Sequence, residues 1–201
     1  MKEGYTLEEC YYESERFENL KFTEEVFRDC RFADCEFIRC TFESCSLIGC
    51  SFTGCCFDHC TVTGLHASEY SQLQYAEFRS CSLVGIHWHE LLPSARFVDP
   101  VRSLQDCRMK YNTFSHMNLK KFHFAGCELT DSMFADCSLN ESCFRTCRLD
   151  RTEFYKCDLR KADFREAQGY KIDITNCKVK GAFFSFPEVV NLLNILEIKI
   201  D

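Results

Sequence analysis

Large apolar residues return along this chain at every fifth position, and each can be taken as the centre of a quintet. A first run passes through Leu7, Tyr12, Phe17, Phe22, Phe27, Phe32, Phe37, Phe42, Leu47, Phe52, Phe57 and Val62. A second holds Leu73, Phe78, Leu83 and Trp88, and a third runs from Leu104 through Met109, Phe114, Leu119 and Phe124 to Phe184. Of these 33 centres 32 are apolar, Gly169 being the exception, in a chain that is 46% hydrophobic overall. The period is therefore not an accident of composition. A strand repeats every 2.0 residues and a helix every 3.6. A chain turns every fifth side chain inward only by making a corner once per quintet. Four corners close a coil of about twenty residues, and coils stack at a spacing of about 4.8 Å. The pattern predicts an all-β, quadrilateral parallel β-helix with a core of stacked Phe and Leu, each coil touching mainly its neighbours.

Two details bear on this geometry. Gly49, Gly54, Gly64, Gly85, Gly126 and Gly181 all stand two residues after a centre, where a corner with φ > 0 suits glycine best. From Phe114 to Phe164 the centres alternate strictly between Phe and Leu. Opposite faces of a four-sided coil then carry the same residue, so Phe stacks above Phe every twenty residues.

Fifteen of the 17 cysteines stand two positions before a centre. At eight further centres that slot holds Ser71, Ala76, Ser132, Ser142, Thr152, Ala162, Ala167 and Ala182. Small size is the shared property, and free Cys behaves as a small buried hydrophobe. The C-x4-C spacing converges poorly for zinc, and cysteines twenty apart would lie near disulfide reach. The thiols are expected to be reduced and to fill space.

The register slips by one residue twice. Interruptions are expected near 64–72 and 89–103, within a repeat region of 1–186, and residues 187–201 are expected to form a separate segment. That tail begins at Pro187, which suits a first helical turn, and continues with Val189, Val190, Leu193 and Leu196 before Ile198 and Ile200 alternate as in a strand. A short C-terminal helix and strand should cap the open coil, with apolar surface left over for a two-fold homodimer. His87 and His89 flank Trp88 like half a metal clip with no third ligand in sequence reach.

Charge adds little to the fold but bears on function. The chain balances to −7, with 17 acids and 8 bases in residues 1–100 and 14 acids and 16 bases in 101–201. An acidic face is expected from Glu18, Asp29, Asp34, Glu36, Glu43, Asp58 and Glu77, all at outward quintet positions. Arg145, Arg148, Arg151, Lys156, Arg160, Lys161 and Arg165 crowd the coils before the tail, many beside a carboxylate. No apolar run is long enough to cross a bilayer, the N-terminus lacks the apolar stretch of a signal peptide, and a cytoplasmic protein is the simplest expectation. No motif for nucleophilic, metal-dependent or phosphate-cradling chemistry is evident, so neither catalysis nor a cofactor is expected.

Quintets such as CRFAD, CEFIR, CTFES, CSLIG, CDLRK and ADFRE resemble the repeat of the pentapeptide-repeat family over nearly the whole chain. That resemblance implies a right-handed quadrilateral β-helix. The tail segments GYKIDI, VKGAFFSFPE and NLLNILEI, with CSLVGIHWHELLPSARF, are similar to the topoisomerase-protecting branch, the Qnr-like and antibiotic-immunity proteins, and most to its albicidin-resistance members. The branch implies a rod-shaped dimer, joined through its C-termini, that binds DNA gyrase or topoisomerase IV, imitates duplex DNA and relieves drug poisoning. It implies no nucleic-acid partner and no membrane partner. The other class left open is a pentapeptide-repeat scaffold for an unrelated partner.

Overall fold

A computed structural model describes residues 6–68, 70–92 and 99–196. The chain divides into two compact units, Met1–Arg108 and Met109–Asp201, and within each the chain winds as four-faced coils.

In the first unit every quintet centre but Trp88 lies on a short strand, and each face is a parallel ladder named here by its first centre. The Leu7 face stacks Thr6–Glu8, Val26–Arg28, Ser46–Ile48 and His66–Ala67. The Tyr12 face stacks Tyr11–Glu13, Arg31–Ala33, Ser51–Thr53 and Gln72–Gln74. The Phe17 face stacks Arg16–Glu18, Glu36–Ile38, Cys56–Asp58, Ala76–Arg79 and Val101–Gln105. The Phe22 face stacks Lys21–Thr23, Thr41–Glu43, Thr61–Thr63 and Ser82–Val84. Phe27, Phe32, Phe37 and Phe42 point into the core and are buried. Rings one coil apart lie nearly parallel, Phe32 on Phe52 at 4.7 Å and Phe37 on Phe57 at 4.9 Å.

The second unit confirms the alternation read from its centres. Phe114 stacks on Phe134 at 4.4 Å and Phe134 on Phe154 at 4.9 Å, while Phe124 stacks on Phe144 at 4.7 Å and Phe144 on Phe164 at 4.8 Å. Rings from these two opposite columns meet edge to face, for instance Phe134 and Phe144 at 5.8 Å and 85°, a favourable aromatic geometry.

The corners are more demanding than the glycines alone suggested. All six glycines named for corners have φ between +60° and +80°, but the same slot is left-handed at Arg39, His59, Tyr75 and Arg151 as well. An L-residue there costs about 1–2 kcal/mol. Coil-to-coil hydrogen bonds offset it: the amides of Asp29, Asp34 and Arg39 donate to Ile48, Thr53 and Asp58 at 2.8–2.9 Å.

The small slot likewise selects more than size. Thiols there donate back to the previous coil, Cys55 Sγ to Phe32 O at 3.4 Å and Cys60 Sγ to Phe37 O at 3.2 Å. Thr152 Oγ1 does the same to Leu129 O at 2.9 Å. A weak donor with little bulk thus satisfies a buried carbonyl as well as space. One pair departs from the expectation of reduced thiols: Cys10 and Cys30 are joined, because the coil pitch brings their Cα atoms to 4.5 Å, within bridging range.

At the expected first interruption, His66 and Ala67 keep their register on Ser46 and Leu47, and Ser71 then re-enters the small slot, its Oγ accepting from Cys50 N at 3.3 Å. At the second, Trp88–Leu91 forms a 3-10 turn, and Trp88 is buried edge-on against Phe78 at 5.6 Å. Residues 93–98 lie outside the described segments. Near the tail two expected centres move. At Gly169, a Cβ would run into the Asp150 backbone, and Tyr170 fills the core in its place. Ile172 rather than Ile174 pairs with Phe154. The tail helix is a 3-10 helix, Glu188–Leu196; Ile198 and Ile200, and the strand expected there, lie outside the described residues.

Candidate interaction surfaces

In the first unit the outward side chains fall into columns, so position in the quintet decides which charges meet. Four of the seven expected acidic residues, Glu18, Glu36, Asp58 and Glu77, share the Phe17 face. Glu43 lies on the Phe22 face, and Asp29 and Asp34 occupy corners on either side of the Tyr12 face. The single acidic face expected from sequence is therefore split. It is also partly neutralised. Arg16 pairs with Glu18 and reaches Glu36 at 3.8 Å, and Glu77 holds Arg79 at 2.6 Å and Arg102 at 3.4 Å. His59 Nδ1 meets Asp58 at 2.8 Å and Lys21 meets Glu43 at 3.7 Å. Asp29 and Asp34 instead lean over Gly49 and Gly54 of the next coil, whose missing side chains make the room.

The densest negative charge lies elsewhere, in the first coil. Residues 6–25 carry seven carboxylates and two bases, a balance of −5. Glu15 and Glu25 even occupy the small inward slot, and burial raises the pKa of Glu25. The centres of this coil, Tyr12, Phe17 and Phe22, are only half-buried. The acidic run LEECYYESERFENLKFTEE carries this signal in the sequence, and the expected acidic face includes only Glu18 of it.

In the second unit the bases crowding the last coils are mostly paired: Arg145 with Glu166 at 2.7 Å, Arg148 with Glu128 at 3.1 Å, Arg160 with Asp158 at 2.5 Å and Arg165 with Asp163 at 2.6 Å. Arg151 pairs with Asp131. The hydrogen bonds from Arg160 and Arg165 hold the Asp158 and Asp163 carboxyls below their ordinary range. Lys156 lies over the Tyr155 ring at 5.1 Å.

The expected dimerisation residues Val189, Val190 and Leu193 are half-buried and Leu196 is 47% exposed. Phe183 and Phe186 add exposed aromatic surface close by in sequence. Between the 3-10 helix and the strand Gln168–Ile172 lies a groove of about 650 Å³, lined among others by Tyr155, Lys171, Asp173 and Ile195. The buried Tyr170 hydroxyl has no partner among the described residues, and burial pushes its pKa up to about 12.

Burial pushes the Cys55 thiol up to about 12, which suppresses the nucleophilic thiolate. Cys56 and Cys143, the two outside the small slot, face outward. His87 and His89 are exposed with rings 5.9 Å apart, and among the described residues no cluster of three or more metal-ligating side chains forms. No helix among them is long and apolar enough to cross a membrane.

Comparison with known proteins agrees with the winding. Family models for pentapeptide repeats match residues 26–64, and for a pentapeptide repeat region residues 117–191. Comparison with curated protein sequences gives no match. Among solved structures, a trypsin-treated form of QnrB1, described as a plasmid-mediated fluoroquinolone resistance protein, matches with a TM-score of 0.53 at 16% identity, covering 99% of this chain and 100% of that one. HetL, a pentapeptide repeat protein involved in heterocyst differentiation regulation in the cyanobacterium Nostoc sp. strain PCC 7120, matches with a TM-score of 0.44 at 10% identity, over 88% of this chain and 85% of the other. With its quintets closing four-sided coils, and with both repeat models matching, this chain belongs to the pentapeptide-repeat proteins.

Proposed function

We propose that this protein is a non-enzymatic resistance or immunity factor that binds DNA gyrase or topoisomerase IV and protects it from a poison. The observation that carries the reading is the end-to-end likeness to QnrB1; the tail motifs that resemble the topoisomerase-protecting branch support it. The acidic first coil supplies a chemical rationale. Seven carboxylates on one turn of a rigid β-helix present closely spaced negative charge to a basic groove shaped for phosphates, and such contact weakens as salt rises. The protein would act as a homodimer through Val189, Val190, Leu193, Leu196, Ile198 and Ile200, in a cytoplasmic setting.

Gyrase supercoiling measured with and without a fluoroquinolone tests this. Recovery of supercoiling at micromolar protein is expected. No effect on either the free or the poisoned enzyme would remove the reading and favour a scaffold for another partner. Light scattering should report a dimer that Leu193→Glu weakens; a monomeric wild type would remove the dimer from the account.

A further inference from the structure

The second unit's excess positive charge is not spread over its four sides. The Leu119 face is assembled by the bridges Asn118↔Ser138, Ser138↔Asp158 and Asp158↔Lys178 and by coil-to-coil bonds from Lys121 N to Asn140 O, Glu141 N to Arg160 O and Lys161 N to Lys180 O. It carries Lys120, Lys121, Arg160, Lys161, Lys178 and Lys180, all exposed. Its only carboxylates are Glu141 and Asp158, which already hold Lys121 at 3.7 Å and Arg160 at 2.5 Å. Six cations against two acids leave a balance of +4 on one face. By the same count the Met109 face, with Arg108, Lys110, Arg148 and Arg151 against Glu128, Asp131 and Asp150, balances to +1, and the Phe124 face, with Arg145 and Arg165 against Asp163 and Glu166, to zero.

A second property separates this face from the other three. Each of those exposes a large apolar side chain: Tyr111 on the Met109 face, Met133 and Tyr155 on the Phe114 face, Phe183 on the Phe124 face. The Leu119 face exposes none, its remaining outward residues being Asn118, Ser138, Asn140 and Gly181. Docking of an acidic protein surface draws its affinity from buried apolar anchors, which are missing here. A regular polyanion needs none, because neutralising phosphates and releasing their counterions is enough. Lysines on three of the four rungs, with Asn and Ser between them, are the side chains from which the oxygens of a sugar–phosphate backbone accept hydrogen bonds.

We propose that the Leu119 face binds the phosphate backbone of duplex nucleic acid, without base specificity, through Lys120, Lys161, Lys178 and Lys180, which have no anionic partner within 4 Å among the described residues. The chain's net charge of −7 hides this face, and the proposal departs from the expectation of no nucleic-acid partner that the family resemblance implied. The proposal does not rest on the topoisomerase reading.

Fluorescence anisotropy of a labelled random-sequence DNA duplex, titrated with the full chain from about 20 to about 200 mM KCl, tests it. Binding at low salt is expected, with log K falling against log salt at a slope of about −3 to −4. Lys178→Glu with Lys180→Glu should weaken binding by at least about tenfold. The charge-matched control Lys110→Glu with Lys156→Glu, on other faces, should weaken it by less than about threefold; matching thermal melts for both doubles exclude unfolding. No binding at the lowest salt, or equal losses from the two doubles, overturns the proposal. Equal affinity for poly-glutamate of the same charge would assign the face to acidic polypeptide and likewise overturn it.

Discussion

The two units wind alike but pack differently. In the first, Phe occupies successive faces, and its rings on neighbouring faces meet at mixed angles, from Phe27 and Phe42 at 46° to Phe17 and Phe32 at 78°. In the second, Leu separates the Phe columns, rings from opposite faces meet at 83–88°, and Phe124, Phe134, Phe144 and Phe164 are all 0% exposed. The corners differ as well. Those of the first unit are held by bonds between coils. On the Leu119 and Phe124 faces each corner adds a turn of its own, as in Ser142 N to Leu139 O at 3.1 Å and Cys147 N to Phe144 O at 3.1 Å. Two solutions to the same winding problem thus coexist: more aromatic volume with looser angles, or less volume with regular edge-to-face contact.

The largest effect should come from the rings. Phe134→Ala is expected to cost about 3–5 kcal/mol in urea unfolding, and Phe17→Ala in the half-buried first coil about 2 kcal/mol less. Equal losses would break the comparison. Next come the corners. Gly49→Ala should cost about 2 kcal/mol, because a Cβ meets the Asp29 carboxylate as well as a φ of +67°. Gly181→Ala, at a φ of +72° with only Lys161 Cγ near at 3.6 Å, should cost about half as much. Adding Asp29→Ala to Gly49→Ala should recover the difference, and thermal melts would show whether it does.

The smallest effects are electrostatic and differ in sign. The lowered pKa values of Asp158 and Asp163 mean that their stabilisation is full above the unfolded carboxylate value of about 4 and is lost as pH falls through the folded values. Arg160→Gln with Arg165→Gln should then lower stability at pH 7 by a few tenths of a kcal/mol and leave it unchanged near pH 2. Glu25, raised by burial, runs the other way: its ionised form opposes folding near neutrality and its protonation relieves this as pH falls. Glu25→Gln should slightly raise the urea midpoint at pH 7 and not at pH 3.

How far the sequence carried can be seen residue by residue. The Phe134 stack followed from a twenty-residue coil and needed nothing else. The left-handed corners at Arg39 and His59 did not, because glycine marks only the corners where the conformation is cheapest and not those that ladder bonds enforce. Gly169 and Ile174 kept the count of five, yet close approach to Asp150 and the extra turn around Asp173 moved the core residues to Tyr170 and Ile172. Asp173 closes that turn with bonds to Thr175 N at 2.9 Å and Thr175 Oγ1 at 2.6 Å. Charge was the least legible. Glu18 and Asp29 look equivalent as outward acids, but one lies on a face beside Arg16 and the other at a corner beside a glycine, and only the winding distinguishes them.

The central claim is that function resides in faces sorted by the winding rather than in a pocket, with the acidic first coil docking on the topoisomerase. Gyrase protection by the triple Glu8→Lys, Glu13→Lys and Glu18→Lys, compared with Lys110→Glu and Lys156→Glu, tests it most directly. Loss of protection in the acidic-coil triple with wild-type protection in the double is the predicted result. Undiminished protection by the folded triple would contradict the account.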